Sequence, residues 1–138
     1  MNSINRDAAD AMIARAIGQA VADYKRPICV AVVDGTGHLV GFSRMDGAPL
    51  RSIQIAIGKA YSAARLGVHT DAFLERLHRE QVTARDFCDE KITSLPGGAV
   101  LKSADGAVIG GVGVSGLKSE EDQAIVHALA DLVGRDAL

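Results

Sequence analysis

A chain of 138 residues, 48% of them hydrophobic, is long enough to bury roughly two thirds of its unfolded surface around one core, so it needs neither disulfide nor metal to fold. Fifteen Lys plus Arg against seventeen Asp plus Glu leave a net charge of -2, and the aromatic residues are only two Tyr and three Phe; this excludes the basic, base-stacking surface of a nucleic-acid partner. The opening MNSINRDAAD has no basic region followed by an apolar run, and no later run approaches the about 18 apolar residues of a membrane span. One cytoplasmic domain over residues 1–138, with no membrane partner, is expected.

Ala9, Met12, Ile13, Ala16, Ile17, Ala20, Val21 and Tyr24 recur at helical steps, which predicts a first helix over about residues 6–24. Asn5 suits its N-cap and Asp7 its positive end; Pro27 closes the segment. Ile28 to Val33 is a short, β-branched apolar run, a strand buried on both faces. Asp34-Gly35-Thr36-Gly37 turns the chain, and His38 to Arg44 returns as the second strand of an antiparallel hairpin.

Pro49 opens the second helix at a position where a missing N–H costs nothing. Leu50, Ile53, Ile57, Ala60, Tyr61 and Ala64 form its apolar stripe, widened by Ile55 and Ala56, which predicts a helix sandwiched between layers. Arg65 and Gly67 end it. Thr70 caps a shorter helix over 71–80 with Phe73, Leu74 and Leu77 inward, and residues 81–97 read as a loop with one short helical turn, of a length that marks a functional or mobile segment. Gly98 to Lys102 and Ala107 to Ser115 flank a Ser-Ala-Asp-Gly turn, a second hairpin. Ser119 to Asp122 read as a capping box for the closing helix, which ends near Gly134. Strands that arrive as hairpins, not alternating with helices, define an α+β class with an antiparallel sheet covered by helices.

Gly111-Val112-Gly113-Val114-Ser115-Gly116 matches the dinucleotide fingerprint, but no second parallel strand follows it. Its glycines therefore read as close packing for a neighbouring helix or as pocket volume. The sequence around Ser115 fails the serine-hydrolase elbow. Cys29 and Cys88 fit no zinc or thioredoxin spacing and read as free thiols, and the four histidines show no metal-site spacing. His38, beside a flexible turn, is the histidine placed to ligate iron or shuttle a proton.

Arg44, Asp46 and Lys59 carry charge to the junction of sheet and helix, where each must be solvated or paired. One reading is an ion pair, Arg44 with Asp46 or Lys59 with Asp46. The other is a cationic clamp for a carboxylate in an apolar pocket.

At these residues the chain resembles the GlcG/HbpS family of haem-degrading or haem-binding domains, found again in the C-terminal part of PduO-type proteins. The resemblance rests on Ala31-Val32-Val33-Asp34 with Gly37-His38-Leu39-Val40, on Phe42 through Ala48, and on Ile55-Ala56 with Lys59-Ala60-Tyr61. Pro96-Gly97-Gly98 and Gly106 through Gly116, followed by Asp122, extend it over nearly the whole chain. It implies a profilin-like α/β/α fold, symmetric homo-oligomers up to octamers and, in some members, haem or another tetrapyrrole as ligand.

Two functions follow as expectations. The first is a small-molecule binding protein holding haem or another planar, carboxylate-bearing molecule: Arg44 and Lys59 meet carboxylates, Met45 and Tyr61 pack the apolar body, Gly98 and Ser115 line the pocket, and His38 is the axial ligand. The second is a cofactor-free catabolic enzyme of isomerase, cyclase or lyase type acting on a small carboxylate or oxo-acid. There Asp46 is the base, with Lys59 or Arg44 stabilising the developing charge.

Overall fold

The structure, a computed structural model, describes residues 2–138. Helix α1 (Arg6–Gln19) starts where the Asn5 side chain accepts from the Ala8 N–H at 2.9 Å, as the cap assignment requires. It runs on as a π-helical turn, Ala20–Tyr24, and stops at Lys25, whose φ of 55° is left-handed. Strands β1 (Cys29–Asp34) and β2 (Leu39–Arg44) form the first hairpin, with a register shift between Val32 and Val33. Helices α2 (Arg51–Leu66) and α3 (Thr70–Glu80) follow, then a 3₁₀ turn at Ala84–Phe87 inside the long loop. Strands β3 (Gly98–Lys102) and β4 (Val108–Ser115) make the second hairpin, and α4 (Ser119–Gly134) closes the chain. Among the described residues no helix is long and apolar enough to cross a membrane.

The four strands form one antiparallel sheet in the order β2-β1-β4-β3. Strand alternation sends Val30, Val32, Val112 and Val114 to one face, where they pack with Met12 and Ala16 of α1 and Ile125, Val126 and Leu129 of α4. Cys29, Ala31 and Val33 point to the other face, against Ala56, Ala60 and Ala64 of α2. The result is an α+β fold of helix, sheet and helix layers, as the hairpin pattern predicts.

The glycine run of β4 explains how α2 lies on that second face. A Cβ on Gly113 would come within 2.2 Å of the Ala56 carbonyl oxygen, and one on Gly111 within 2.3 Å of that of Ala60. The glycines thus let helix backbone rest directly on strand backbone, the close-packing role expected of them.

The predicted α2 stripe holds at Ala60 and Ala64, which are buried, and at Ile53 and Ile57, which pack against the core on this face; it fails at Leu50. Leu50 is 72% exposed, and Ile53, Ile57 and Tyr61 are half-buried, while Ser52, Ala56, Lys59, Ala60 and Ala63 are buried. The glycines are met by Ala56, Ala60 and Ala64, while Ile53 and Ile57 pack to the side against the same core with Phe42. Two caps also shift. His69 precedes α3 as its cap residue, because the Thr70 hydroxyl accepts instead from the Gly98 N–H at 2.9 Å. At α4 it is Glu121 that accepts from the Lys118 N–H, leaving Asp122 free for another partner.

Candidate functional site

A cleft of about 710 Å³ opens between the β1–β2 turn, the outward side of α2 and the loop before β3. Its first wall is built by Asp34, whose Oδ1 accepts from the Thr36 N–H at 2.9 Å, the Thr36 hydroxyl at 2.7 Å and the His38 N–H at 3.0 Å. The Thr36 hydroxyl foremost, helped by the backbone N–H groups of His38 and Thr36 and by the nearby His38, holds the Asp34 carboxyl below its ordinary range against the opposing effect of burial. His38 is exposed at the cleft, its Nδ1 2.8 Å from the Thr36 hydroxyl oxygen. Gly37, at φ 89°, lies against the Tyr61 ring: a Cβ there would stand 3.0 Å from a ring carbon.

The floor is the α2 stripe of Gln54, Ile57, Gly58, Tyr61 and Arg65, spaced to share one side of a helix. The Tyr61 hydroxyl donates to Asp89 Oδ2 at 2.5 Å. That bond pulls the Asp89 carboxyl down and pushes the phenol up. The opposite wall, Glu90 to Thr93, is pinned to α2 because the Thr93 N–H donates to the Ser62 hydroxyl at 2.8 Å.

Two cations converge on the floor. The Arg65 guanidinium carbon is 5.6 Å from the Tyr61 ring centroid and the Lys91 ammonium 5.7 Å, within reach of the ring's negative face. Neither has a salt-bridge partner among the described residues; Arg65 donates only a long bond, 3.4 Å, to the Thr36 carbonyl. Cations, an aromatic floor and the apolar sides of Leu39, Ile55 and Ile92 together suit a flat molecule bearing negative groups. No group of three His, Cys, Asp or Glu gathers as a metal centre among the described residues.

A family model described as haem degrading protein HbpS-like matches residues 4–131. The chain belongs to this HbpS-like family. It is 32% identical over 130 residues to an uncharacterized 15.0 kDa protein of the dhaT-dhaS intergenic region of Citrobacter freundii, covering 90% of this chain and 88% of that one. Among solved structures it is similar to Klebsiella pneumoniae protein ORFY, with a TM-score of 0.87 and 28% identity over 100% of this chain and 94% of that one. It is also similar to a PduOC:haem complex, with a TM-score of 0.82 and 25% identity over 94% of each chain.

Within this HbpS-like chain the expected site residues part into three groups. His38 and Tyr61 meet in the main cleft. Met45 and Asp46 line a separate hollow of about 390 Å³ with Val21, Lys25, Arg26 and Pro27, and Met45 is tied down by its sulfur, which accepts from the Ile28 N–H at 3.4 Å. Arg44 and Asp46 are exposed and make no ion pair with each other. Lys59, Gly98 and Ser115 are interior. Lys59 is 3% exposed, donating to the Val114 carbonyl at 2.8 Å and to Asp122 Oδ2 at 3.3 Å.

The buried partner of Lys59 is therefore Asp122 and not Asp46. Burial draws the ammonium down and pushes the carboxyl up, each opposed by the other's charge. Gly98 packs against the Lys59 carbonyl, and the Ser115 hydroxyl donates to that of Ser52 at 3.2 Å; neither lines the cleft. Asp46 and Lys59 do not share a pocket, so of the two cations named for the enzymatic reading only Arg44 stands near Asp46 in the chain.

Thr36, Arg65, Asp89 and Lys91 stand at the cleft without being singled out as site residues by any sequence pattern. Arg65 was within reach, because it stands four residues after Tyr61 and so shares its side of the helix. Lys91 gave no local signal: it lies in the irregular loop, and only the fold brings it over Tyr61.

Proposed function

We propose that this chain binds haem or another flat, carboxylate-bearing molecule in the cleft of His38, Tyr61, Arg65 and Lys91. The observation that carries the reading is the convergence on one aromatic ring of two cations that have no salt bridge among the described residues, in a cleft that also presents an imidazole. The volume, about 710 Å³, lies in the range of about 300–1,000 Å³ of small-molecule pockets. The likeness to a PduOC:haem complex supports haem as a member of the ligand class.

The residues present fit such a group. Arg65 and Lys91 would hold its carboxylates, with Tyr61, Ile55 and Ile57 against its apolar body. His38 has one ring nitrogen engaged by Thr36, the arrangement that orients a metal-ligating imidazole. Haem, when bound, supplies an iron centre open to axial ligation and redox change. Assembly with further copies of the chain belongs to the same reading, as the family resemblance implies.

Titration with haemin, followed in the Soret band, tests the proposal. A saturable shift is expected, weakened about tenfold by each of Arg65→Ala and Lys91→Ala, which is about 1.4 kcal/mol, and altered in position by His38→Ala. No saturable shift, or one indifferent to all three substitutions, overturns it.

A further inference from the structure

We infer that Asp34 and Thr36 are positioning residues that hold His38 in its Nδ1–H tautomer, so that the ring offers a bare Nε2 lone pair to the cleft. Three side chains share the available protons between them. An ionised carboxylate can only accept, and Asp34 Oδ1 is met by the Thr36 hydroxyl at 2.7 Å and by two backbone N–H groups. The hydroxyl has one proton. Given the choice between a carboxylate and a neutral ring nitrogen 2.8 Å away, it donates to the charge, because charge-assisted bonds are roughly twice as strong.

With its proton committed, the Thr36 oxygen can only accept from His38. Nδ1 must therefore carry the hydrogen, and the neutral imidazole has its lone pair at Nε2. The backbone keeps this relay in register. Asp34 N–H donates to the His38 carbonyl at 2.9 Å and Gly37 N–H to that of Asp34 at 3.0 Å, so the turn is closed independently of the side chains.

The same molecule contains the opposite arrangement. His69 Nδ1 accepts from the Val100 backbone N–H at 3.2 Å, so its neutral ring must carry hydrogen on Nε2. One histidine keeps its lone pair on Nε2, and the other has the lone pair of its Nδ1 taken up by the edge of the sheet. The ligand class that can use His38 is one presenting either a metal centre or an acidic proton. Here the inference rests on the proposed cleft, but the tautomer itself does not.

The experiment is ¹⁵N NMR of the ligand-free protein with labelled histidine, at a pH where the rings are neutral, with His38→Ala and His69→Asn assigning the signals. His38 is expected as Nδ1–H and His69 as Nε2–H. Thr36→Val should remove the Nδ1–H signature of His38 and leave that of His69, while Thr36→Ser restores it. A predominant Nε2–H form of His38 in the unaltered protein overturns the inference without any variant having to fold, as does a His38 spectrum unchanged in Thr36→Val. Haemin affinity of Thr36→Val, expected to fall about tenfold by loss of the orienting bond, is read separately. If haemin fails to bind while His38 is Nδ1–H, the proposed ligand falls and the positioning stands; haemin binding with the other tautomer gives the reverse.

Discussion

On the α1 and α4 face of the sheet, Val30, Val32, Val112 and Val114 interlock with Met12, Ile125 and Leu129, whereas on the α2 face Gly111 and Gly113 meet the backbone of Ala56 and Ala60. The first face is held by branched side chains filling volume. The second is held by backbone proximity, and it also carries the buried polar groups Ser52, Lys59, Ser62 and Ser115. The difference matters for function. Because small residues occupy the positions over the glycines, Ile57, Tyr61 and Arg65 are left to line a cleft on the outer side of the same helix.

The largest effect should come from the charged pair on the α2 side. Lys59→Met removes one member and leaves Asp122 buried without its cation, which costs about 3–5 kcal/mol. Denaturant unfolding should show this loss, and Lys59→Met with Asp122→Leu together should recover most of it. Equal destabilisation in the single and double variants would mean that the pair does more than compensate itself.

Next, the two faces should respond to opposite changes. Gly113→Ala adds one methyl where a Cβ would come within 2.2 Å of the Ala56 oxygen, and should destabilise by about 2–3 kcal/mol by pushing the helix away. Its neighbour Val112, fully buried on the other face, should lose about 2 kcal/mol on Val112→Ala through deleted methyl groups and the space they leave. Calorimetry and urea unfolding of both would decide. A neutral Gly113→Ala would remove the distinction between the faces.

The same contrast explains what could be read in the sequence. The periodicity of residues 9–24, the Asp-Gly-Thr-Gly turn and the two hairpins are local patterns, and the fold keeps them. The orientation of α2 is not local. Leu50 looks like part of a core stripe but is 72% exposed, and the α2 residues that meet the glycines of β4 are the small Ala56, Ala60 and Ala64, a match that only the distant strand reveals. The partner of Lys59 was hidden for a similar reason. Its apolar surroundings signalled that it needed a counter-charge, but Asp122 is 63 residues away and belongs to the helix layer across the sheet. Within the candidate site, His38 and Tyr61 were legible from turn chemistry and helix position. Lys91 became visible only when an irregular loop was laid over Tyr61.

A smaller effect should appear with pH at the sheet edge, where α3 and α4 meet β3. His69 and His127 have ring centroids 4.6 Å apart, and His127 Nε2 is 3.6 Å from Asp71 Oδ1. Burial, the His127 ring and Lys102 depress the pKa of His69, with Asp71 and Asp131 opposing. A depressed base binds its proton less well when folded than when unfolded. Stability is therefore full above the ordinary histidine range and declines as pH falls through it, levelling below the folded pKa. The slope is bounded at about 1.4 kcal/mol per pH unit for one proton and is reduced by solvent screening. Unfolding at stepped pH should show this decline, and His69→Asn, whose side-chain oxygen can still accept from the Val100 N–H, should flatten it.

The smallest change in stability is expected where the largest change in binding is expected. Arg65 and Lys91 are exposed and make no salt bridge among the described residues, so Arg65→Ala and Lys91→Ala should each alter unfolding free energy by less than about 0.5 kcal/mol. If the cleft exists because α2's sheet-facing residues are small, its lining can be changed without disturbing the layer beneath. Thermal unfolding and haemin titration on the same variants separate the two properties. Unchanged melting with weakened binding assigns these cations to the ligand. A fall in melting temperature of several degrees would instead make them struts that hold the loop of Glu90 to Thr93 over Tyr61, and the outer side of α2 would then be as structural as the inner one.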